Sequence, residues 1–157
     1  LESIKTERSN IIILDQLEDA QNVGAIFRSA LAFKIDGIIL TENQSVNENH
    51  FMTKTACGGI DKVPFTSVSN LSSALRTLKE NGYWIYGLDV NSDKKITDTD
   101  FAEKSVFIFG SESDGMRHLT KSSCDEIVKI EISNNLESLN VSNSAAVLFF
   151  YLNNNIN

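Results

Sequence analysis

Little in this sequence could build a metal centre or a disulfide framework. Its 157 residues include two cysteines, two histidines and one proline. Cys57 and Cys124 stand far apart and read as reduced thiols of an intracellular protein. His50 and His118 have no Cys, His or carboxylate neighbours at ligand spacing, so no metal is expected. Pro64 alone cannot mark a linker, and residues 1–157 read as one domain. No apolar run approaches the roughly 20 residues of a membrane span. No basic stretch followed by an apolar one opens the chain as a signal peptide would. A cytoplasmic protein without a membrane partner is therefore expected. Basic charge is also scarce: 14 Lys and Arg face 21 Asp and Glu, for a net charge of −7. That balance opposes tight binding of a polyanion by this chain alone.

What is present is alternation. Ile11–Leu14 is a short apolar run of the kind buried in a parallel sheet. Val23, Ile26, Phe27, Ala30 and Leu31 then recur at helical spacing, predicting a helix from about Asn22 to Phe33. Further strands are predicted at Gly37–Leu40, Val63–Val68, Trp84–Leu88, Val106–Phe109 and Ile127–Ile132. Further helices are predicted at Glu48–Cys57, ended by Gly58-Gly59, then around Leu71, Leu75 and Leu78, closed by Asn81-Gly82, and finally at Asn140–Leu152. Such an order implies a doubly wound α/β domain with a mostly parallel sheet. Ligands of such sheets sit beyond the carboxyl ends of the strands, which directs attention to the loops there.

Three of those loops are dense in Gly, Ser, Asn and carboxylates. The first carries Asn22-Val-Gly24 with Arg28 one turn later. Side chains on a helix lean toward its N-terminus, so Arg28 can reach back over Gly24. The plainer alternative is a capping asparagine and a surface arginine. The second is Gly110-Ser111-Glu112-Ser113-Asp114-Gly115. Its glycines let backbone N–H groups approach a ligand, but no Lys-Ser/Thr follows Gly115, so it is no P-loop. The third is Glu137-Ser138-Leu139-Asn140-Val141-Ser142, in which Ser138 or Asn140 could also cap the last helix. That helix is apolar nearly all round. Val141, Ala145, Leu148, Phe149 and Leu152 share one side, while Val147, Phe150 and Tyr151 lie on others, so a partner subunit is expected to cover part of it.

In this order the three segments resemble the SpoU (TrmH-like) family of SPOUT RNA methyltransferases, from about Ile11 to Leu152. Asn22, Gly24 and Arg28 match its Asn-x-Gly-x-x-x-Arg pattern. Gly110, Ser111, Glu112 and Gly115 match Gly-Ser-Glu-Gly-x-Gly. Glu137 to Ser142 matches Glu-Ser-Leu-Asn-Val-Ser without a gap. Ala56-Cys57-Gly58-Gly59 followed by Val63-Pro64 resembles the ribosomal-RNA branch. The resemblance implies a deep trefoil knot at the C-terminal end of the α/β domain, a homodimer through the last helix, and S-adenosylmethionine as cofactor. It implies cofactor contacts at Leu88, Gly110, Ser111, Gly115, Ile130, Leu139 and Asn140. It implies Arg28, Asn22, Glu112, Ser138 and Asn140 as the catalytic set, acting on a ribose 2′-OH of ribosomal RNA or tRNA, ribosomal RNA favoured. Many relatives carry a small N-terminal RNA-binding domain, which is expected to be missing before Leu1. Ser113 departs from the family's glycine, and Glu131 and Asn134 from its proline and glycine. A serine forced to positive φ costs about 1 kcal/mol or more. The alternative function is a dimeric RNA-binding or assembly protein on the same fold with weakened catalysis. A phosphate-binding hydrolase lacks a nucleophile–base pair.

Overall fold

The run Ile11–Leu14 offers water no polar face, and its β-branched residues suit a pleated, buried strand. The computed structural model describes residues 8–41, 58–111 and 115–154. In it this run lies in β1 (Ser9–Leu14), followed by α1 (Ala20–Ala32), β2 (Gly37–Thr41), α2 (Gly59–Lys62), β3 (Phe65–Val68) and α3 (Leu71–Glu80). Then come β4 (Trp84–Leu88), β5 (Lys104–Phe109), α4 (His118–Ser123), β6 (Glu126–Val128) and α5 (Val141–Asn154). The strands form a six-stranded sheet in the order β3-β2-β1-β5-β4-β6, and each of these pairings is parallel. The chain runs outward from β1 to β3, crosses to β4, and returns inward to β5. The carboxyl ends of β1 and β5 thus meet where the winding reverses, the position at which open α/β sheets bind ligands.

Alternate residues of the central strands face opposite layers. Ile12, Leu14, Phe107 and Phe109 pack with Phe27 of α1 and Leu148 and Phe149 of α5. Ile11, Ile13, Val106 and Ile108 pack with Leu71, Leu75 and Leu78 of α3. Both faces of β1 and β5 are covered, so the four innermost residues of each carry no polar stripe, as the centre of a parallel sheet requires.

Several expectations shift. Helix α1 starts before Asn22 because Asp19 caps it, its carboxylate accepting from Gln21 N. Asn22 sits in the first turn, so it is no cap. Gly58, with φ at 79°, and Gly59 open the short helix α2, while the helix expected at 48–57 lies outside the described residues. A Cβ on Gly59 would come within 2.8 Å of the Phe27 carbonyl oxygen, so α2 rests directly on the α1 backbone beside Arg28. The strand expected at Val63–Val68 begins at Phe65, because Val63 still closes α2 through its N–H to Gly59 O. The strand expected at Ile127–Ile132 is only Glu126–Val128. Its neighbour among the described residues, β4, ends at Leu88, and beyond Val128 the pairing among them is reduced to an isolated bridge from Lys129 to Lys95. Helix α5 starts at Val141, with Asn140 accepting from Ser142 N at its head.

Candidate active site

The site is built from chain segments that leave the carboxyl ends of β4, β5 and β6. They enclose a cavity of about 630 Å³. Leu88 at the end of β4 contributes an apolar wall, and Ile130, carried past the short β6, contributes another. Gly110, Ser111 and Gly115 bring the loop after β5 to its edge, and Ser138, Leu139 and Asn140 bring the segment before α5. All seven residues expected to meet the cofactor, together with Ser138, therefore border one cavity.

The loop after β5 is pinched shut at its base. Ser111 N donates to Gly115 O and Gly115 N to Ser111 O, each at 3.0 Å. Gly115 takes a positive φ of 65°. A Cβ on Gly110 would lie 2.2 Å from the Gly115 carbonyl carbon, so only glycine lets the chain fold back this tightly. Glu112 and Ser113 lie outside the described residues.

Asn22 and Asn140 meet although they stand 118 positions apart: Asn140 Nδ2 donates to Asn22 Oδ1 at 3.1 Å. Asn22 is buried, and its own Nδ2 donates to Asp19 Oδ2 at 3.1 Å. The first and third segments are thus joined by side-chain amides. Arg28 is not brought to the cavity wall. It is exposed on α1, and its side chain makes no hydrogen bond or ion pair with another described residue.

Sequence reasoning missed the charged residues of the cavity. Asp89, next after β4, borders it with Lys121 and Lys129. Lys121 Nζ reaches Asp89 Oδ2 at 2.6 Å, and Asn91 N donates to Asp89 Oδ1 at 2.9 Å. Burial alone would raise the Asp89 carboxyl, but these two hydrogen bonds outweigh it and hold it below its ordinary value. The cavity therefore has a carboxylate–ammonium pair, Asp89 with Lys121, and the second ammonium of Lys129 beside its apolar walls. Position directly after a strand was the signal for Asp89; Lys121, on a helix without apolar periodicity, had none. Asp15 was missed as well. It is buried at the end of β1, where Arg117 and Thr120 hold its carboxylate. Among the described residues no three His, Cys, Asp or Glu side chains gather as a metal site would need.

The profile of the SpoU rRNA Methylase family matches residues 9–150. The chain belongs to that family. It is 36% identical over 143 residues to the 23S rRNA (guanosine-2′-O-)-methyltransferase RlmB of Xanthomonas campestris, covering 91% of this chain and 57% of that protein. It is 37% identical over 138 residues to the same enzyme of Neisseria meningitidis, covering 88% and 55%. This chain thus spans little more than half the length of these relatives. Its fold matches the SpoU methyltransferase AviRb of Streptomyces viridochromogenes, solved with AdoMet, at a TM-score of 0.87 and 19% identity, over 96% of this chain and 58% of that one. It also matches the TrmH/SpoU tRNA modifying enzyme of A. aeolicus at a TM-score of 0.83 and 18% identity, over 94% and 75%.

Proposed function

We propose that this member of the SpoU family is the catalytic domain of an S-adenosylmethionine-dependent methyltransferase acting on a ribose 2′-OH of ribosomal RNA. The observation that carries the reading is the single cavity bordered by residues of the second and third motifs. Ribosomal RNA is favoured over tRNA because both RlmB relatives are named for a 23S rRNA substrate. The loss of catalysis considered above is not favoured, since the cavity and the Asn22–Asn140 contact are both intact. A deep C-terminal knot, a cytoplasmic location and a further RNA-recognising domain belong to the same reading.

The residues present suit the cofactor. Leu88, Ile130 and Leu139 offer apolar walls for an adenine, and the Gly110 pinch brings backbone groups where a side chain would intrude. Asp89, paired with Lys121, and Lys129 offer charges of both signs to a ligand that carries two positive groups and a carboxylate. When bound, S-adenosylmethionine supplies an electrophilic methyl group on a positively charged sulfur. The chain must then align the ribose hydroxyl and stabilise the charge on its oxygen as the proton leaves. A guanidinium does not deprotonate readily, so Arg28 acts as an electrostatic stabiliser of the developing alkoxide and not as a base. Its exposure and lack of a partner among the described residues leave it open to an RNA substrate. Asn22 and Asn140 fix the geometry between α1 and the cavity, Ser138 meets the cofactor or target nucleotide, and Glu112 ties loop N–H groups together.

The homodimer is part of the proposal. Phe150 and Val147 are 57% and 42% exposed on α5, and Leu31 of α1 is 36% exposed, so an apolar face is left over after the core is filled. A second copy of this chain would cover it.

The test is methyl transfer from tritiated S-adenosylmethionine to ribosomal RNA by the full-length protein. Arg28→Ala should lower the rate by about 10²–10³ while leaving the affinity for S-adenosylhomocysteine nearly unchanged. No heat on titrating S-adenosylhomocysteine into the wild type would sink the enzymatic reading.

A further inference from the structure

Asp19 stands outside the motif residues named above, yet it sits at one end of a chain of side-chain hydrogen bonds that finishes at the cavity. Its Oδ1 accepts from Gln21 N at 2.8 Å and caps α1. Its Oδ2 accepts from Asn22 Nδ2 at 3.1 Å. Asn22 Oδ1 accepts from Asn140 Nδ2 at 3.1 Å. Asn140 Oδ1 accepts from Ser142 N at 2.9 Å and from Ser142 Oγ at 2.6 Å, which caps α5.

We propose that Asp19 is a positioning residue that sets the polarity of this chain, and through it the orientation in which Asn140 borders the cavity. The two ends of an asparagine amide have nearly the same size, so packing cannot choose between them. Hydrogen-bond polarity can. An ionised carboxylate only accepts. It therefore draws the NH2 group of Asn22 toward itself and turns the Asn22 oxygen toward Asn140. That oxygen in turn draws the NH2 group of Asn140, which leaves the Asn140 oxygen facing the first N–H groups of α5. Asn22 is 7% exposed, so water cannot rescue a reversed amide there. The acidic cap of α1 is thus coupled in polarity to the cap of α5, 118 positions beyond Asn22.

Reversal is testable because the carboxylate can be moved to the other end of the chain. Asp19→Asn keeps the shape and one capping oxygen but turns an NH2 group on Asn22. The conflict is relieved only by flipping Asn22 and then Asn140, which sets an NH2 group against Ser142 N, or by giving up the α1 cap. Asn140→Asp alone sets a carboxylate against the Asn22 oxygen. Together the two substitutions restore these contacts in the opposite direction: position 19 donates to Asn22, Asn22 donates to the carboxylate at position 140, and Ser142 N still has an acceptor.

Urea unfolding of the wild type, both single variants and the double variant reads this directly. Each single variant should raise the unfolding equilibrium constant, and the double should be more stable than either, with a coupling of about tenfold. Additive losses would overturn the proposal, because simple loss of a cap gives no reason for Asn140→Asp to rescue Asp19→Asn. Side-chain amide resonances in ¹H–¹⁵N spectra are a second readout. Asp19→Asn should move those of both Asn22 and Asn140, and movement of Asn22 alone would also overturn it. The link to catalysis rests on the function proposed above and predicts a lower kcat for Asp19→Asn with KM for RNA unchanged. An unchanged kcat in a wild type that is active overturns that link. A wild type that fails to bind S-adenosylhomocysteine fails the functional reading instead and leaves the unfolding and spectral outcomes as they stand.

Discussion

Arg117 lays its guanidinium across the carboxylate of Asp15, 102 positions away, with Nη2 at 2.7 Å from Oδ1 and Nε at 3.2 Å from Oδ2. Thr120 Oγ1 donates to Oδ2 at 2.9 Å. Asp15 is 1% exposed, while half of the Arg117 side chain remains in water. The end of β1 is thereby fastened to the stretch that leaves the Gly110–Gly115 loop. A buried carboxylate without a partner is strongly unfavourable, whereas an intact pair adds little over an apolar contact.

Arg117→Ala should therefore cost about 3 kcal/mol, read as a lowered urea midpoint. Asp15→Asn in the same background should return part of that loss, because a buried amide needs no counter-charge. If the second substitution deepens the loss, the ion pair is not what Arg117 contributes.

Gly110→Ala should break the loop after β5. The new methyl would stand 2.2 Å from the Gly115 carbonyl carbon, so backbone must move. A loss of about 2 kcal/mol and of measurable S-adenosylhomocysteine binding is expected. Gly82→Ala is the control: its φ is 83° but no atom lies within 4 Å of the added carbon. It should cost about 1 kcal/mol through backbone strain and leave ligand affinity as it was. Equal binding by both variants would count against the pinch.

Phe150→Glu should separate the proposed dimer without unfolding the subunit, since this ring is 57% exposed and outside the core. Sedimentation velocity should show monomers with an unchanged circular dichroism spectrum. A wild type that is already monomeric at micromolar concentration would remove the dimer from the proposal.

Cys124 should resist alkylation at neutral pH. Burial first, and the negative charge of Asp125 second, push its thiol up to about 11 from an ordinary 9.0. The unfolded thiol ionises first as pH rises, so folding stability should fall between pH 9 and about 11. Cys124→Ala should lack that part of the decline. Rapid labelling of Cys124 in the native protein with iodoacetamide at pH 8, read by peptide mapping apart from Cys57, would contradict the shift.

Strand and helix order was readable because buried parallel strands and amphipathic helices leave strong apolar patterns, as in Ile11–Leu14 and in Leu71, Leu75 and Leu78. The cavity walls were readable because Gly110, Ser138 and Asn140 lie in contiguous motifs at strand ends. Helix α4 was not. Its one large apolar residue, Leu119, is 74% exposed. The anchor of this segment is polar, through Arg117 and Thr120 to Asp15, and polar contacts across a hundred residues have no period. The end of β6 was hidden for a different reason. Ile130 and Ile132 continue the apolar pattern, but they line the cavity and do not extend the sheet. An apolar residue facing a ligand looks the same in sequence as one facing a core.

β1 takes its two neighbours from distant parts of the chain: Ile11–Leu14 pair with Gly37–Leu40 on one side and with Val106–Phe109 on the other. During translation the first pairing can form early, but the second must wait until β5 has left the ribosome, on the order of ten seconds at usual elongation rates. In that interval the nascent chain carries a bare apolar strand edge, a template for another chain. Yield in the cell should consequently depend on holdase chaperones and on growth temperature, even for variants whose finished fold is as stable as the wild type.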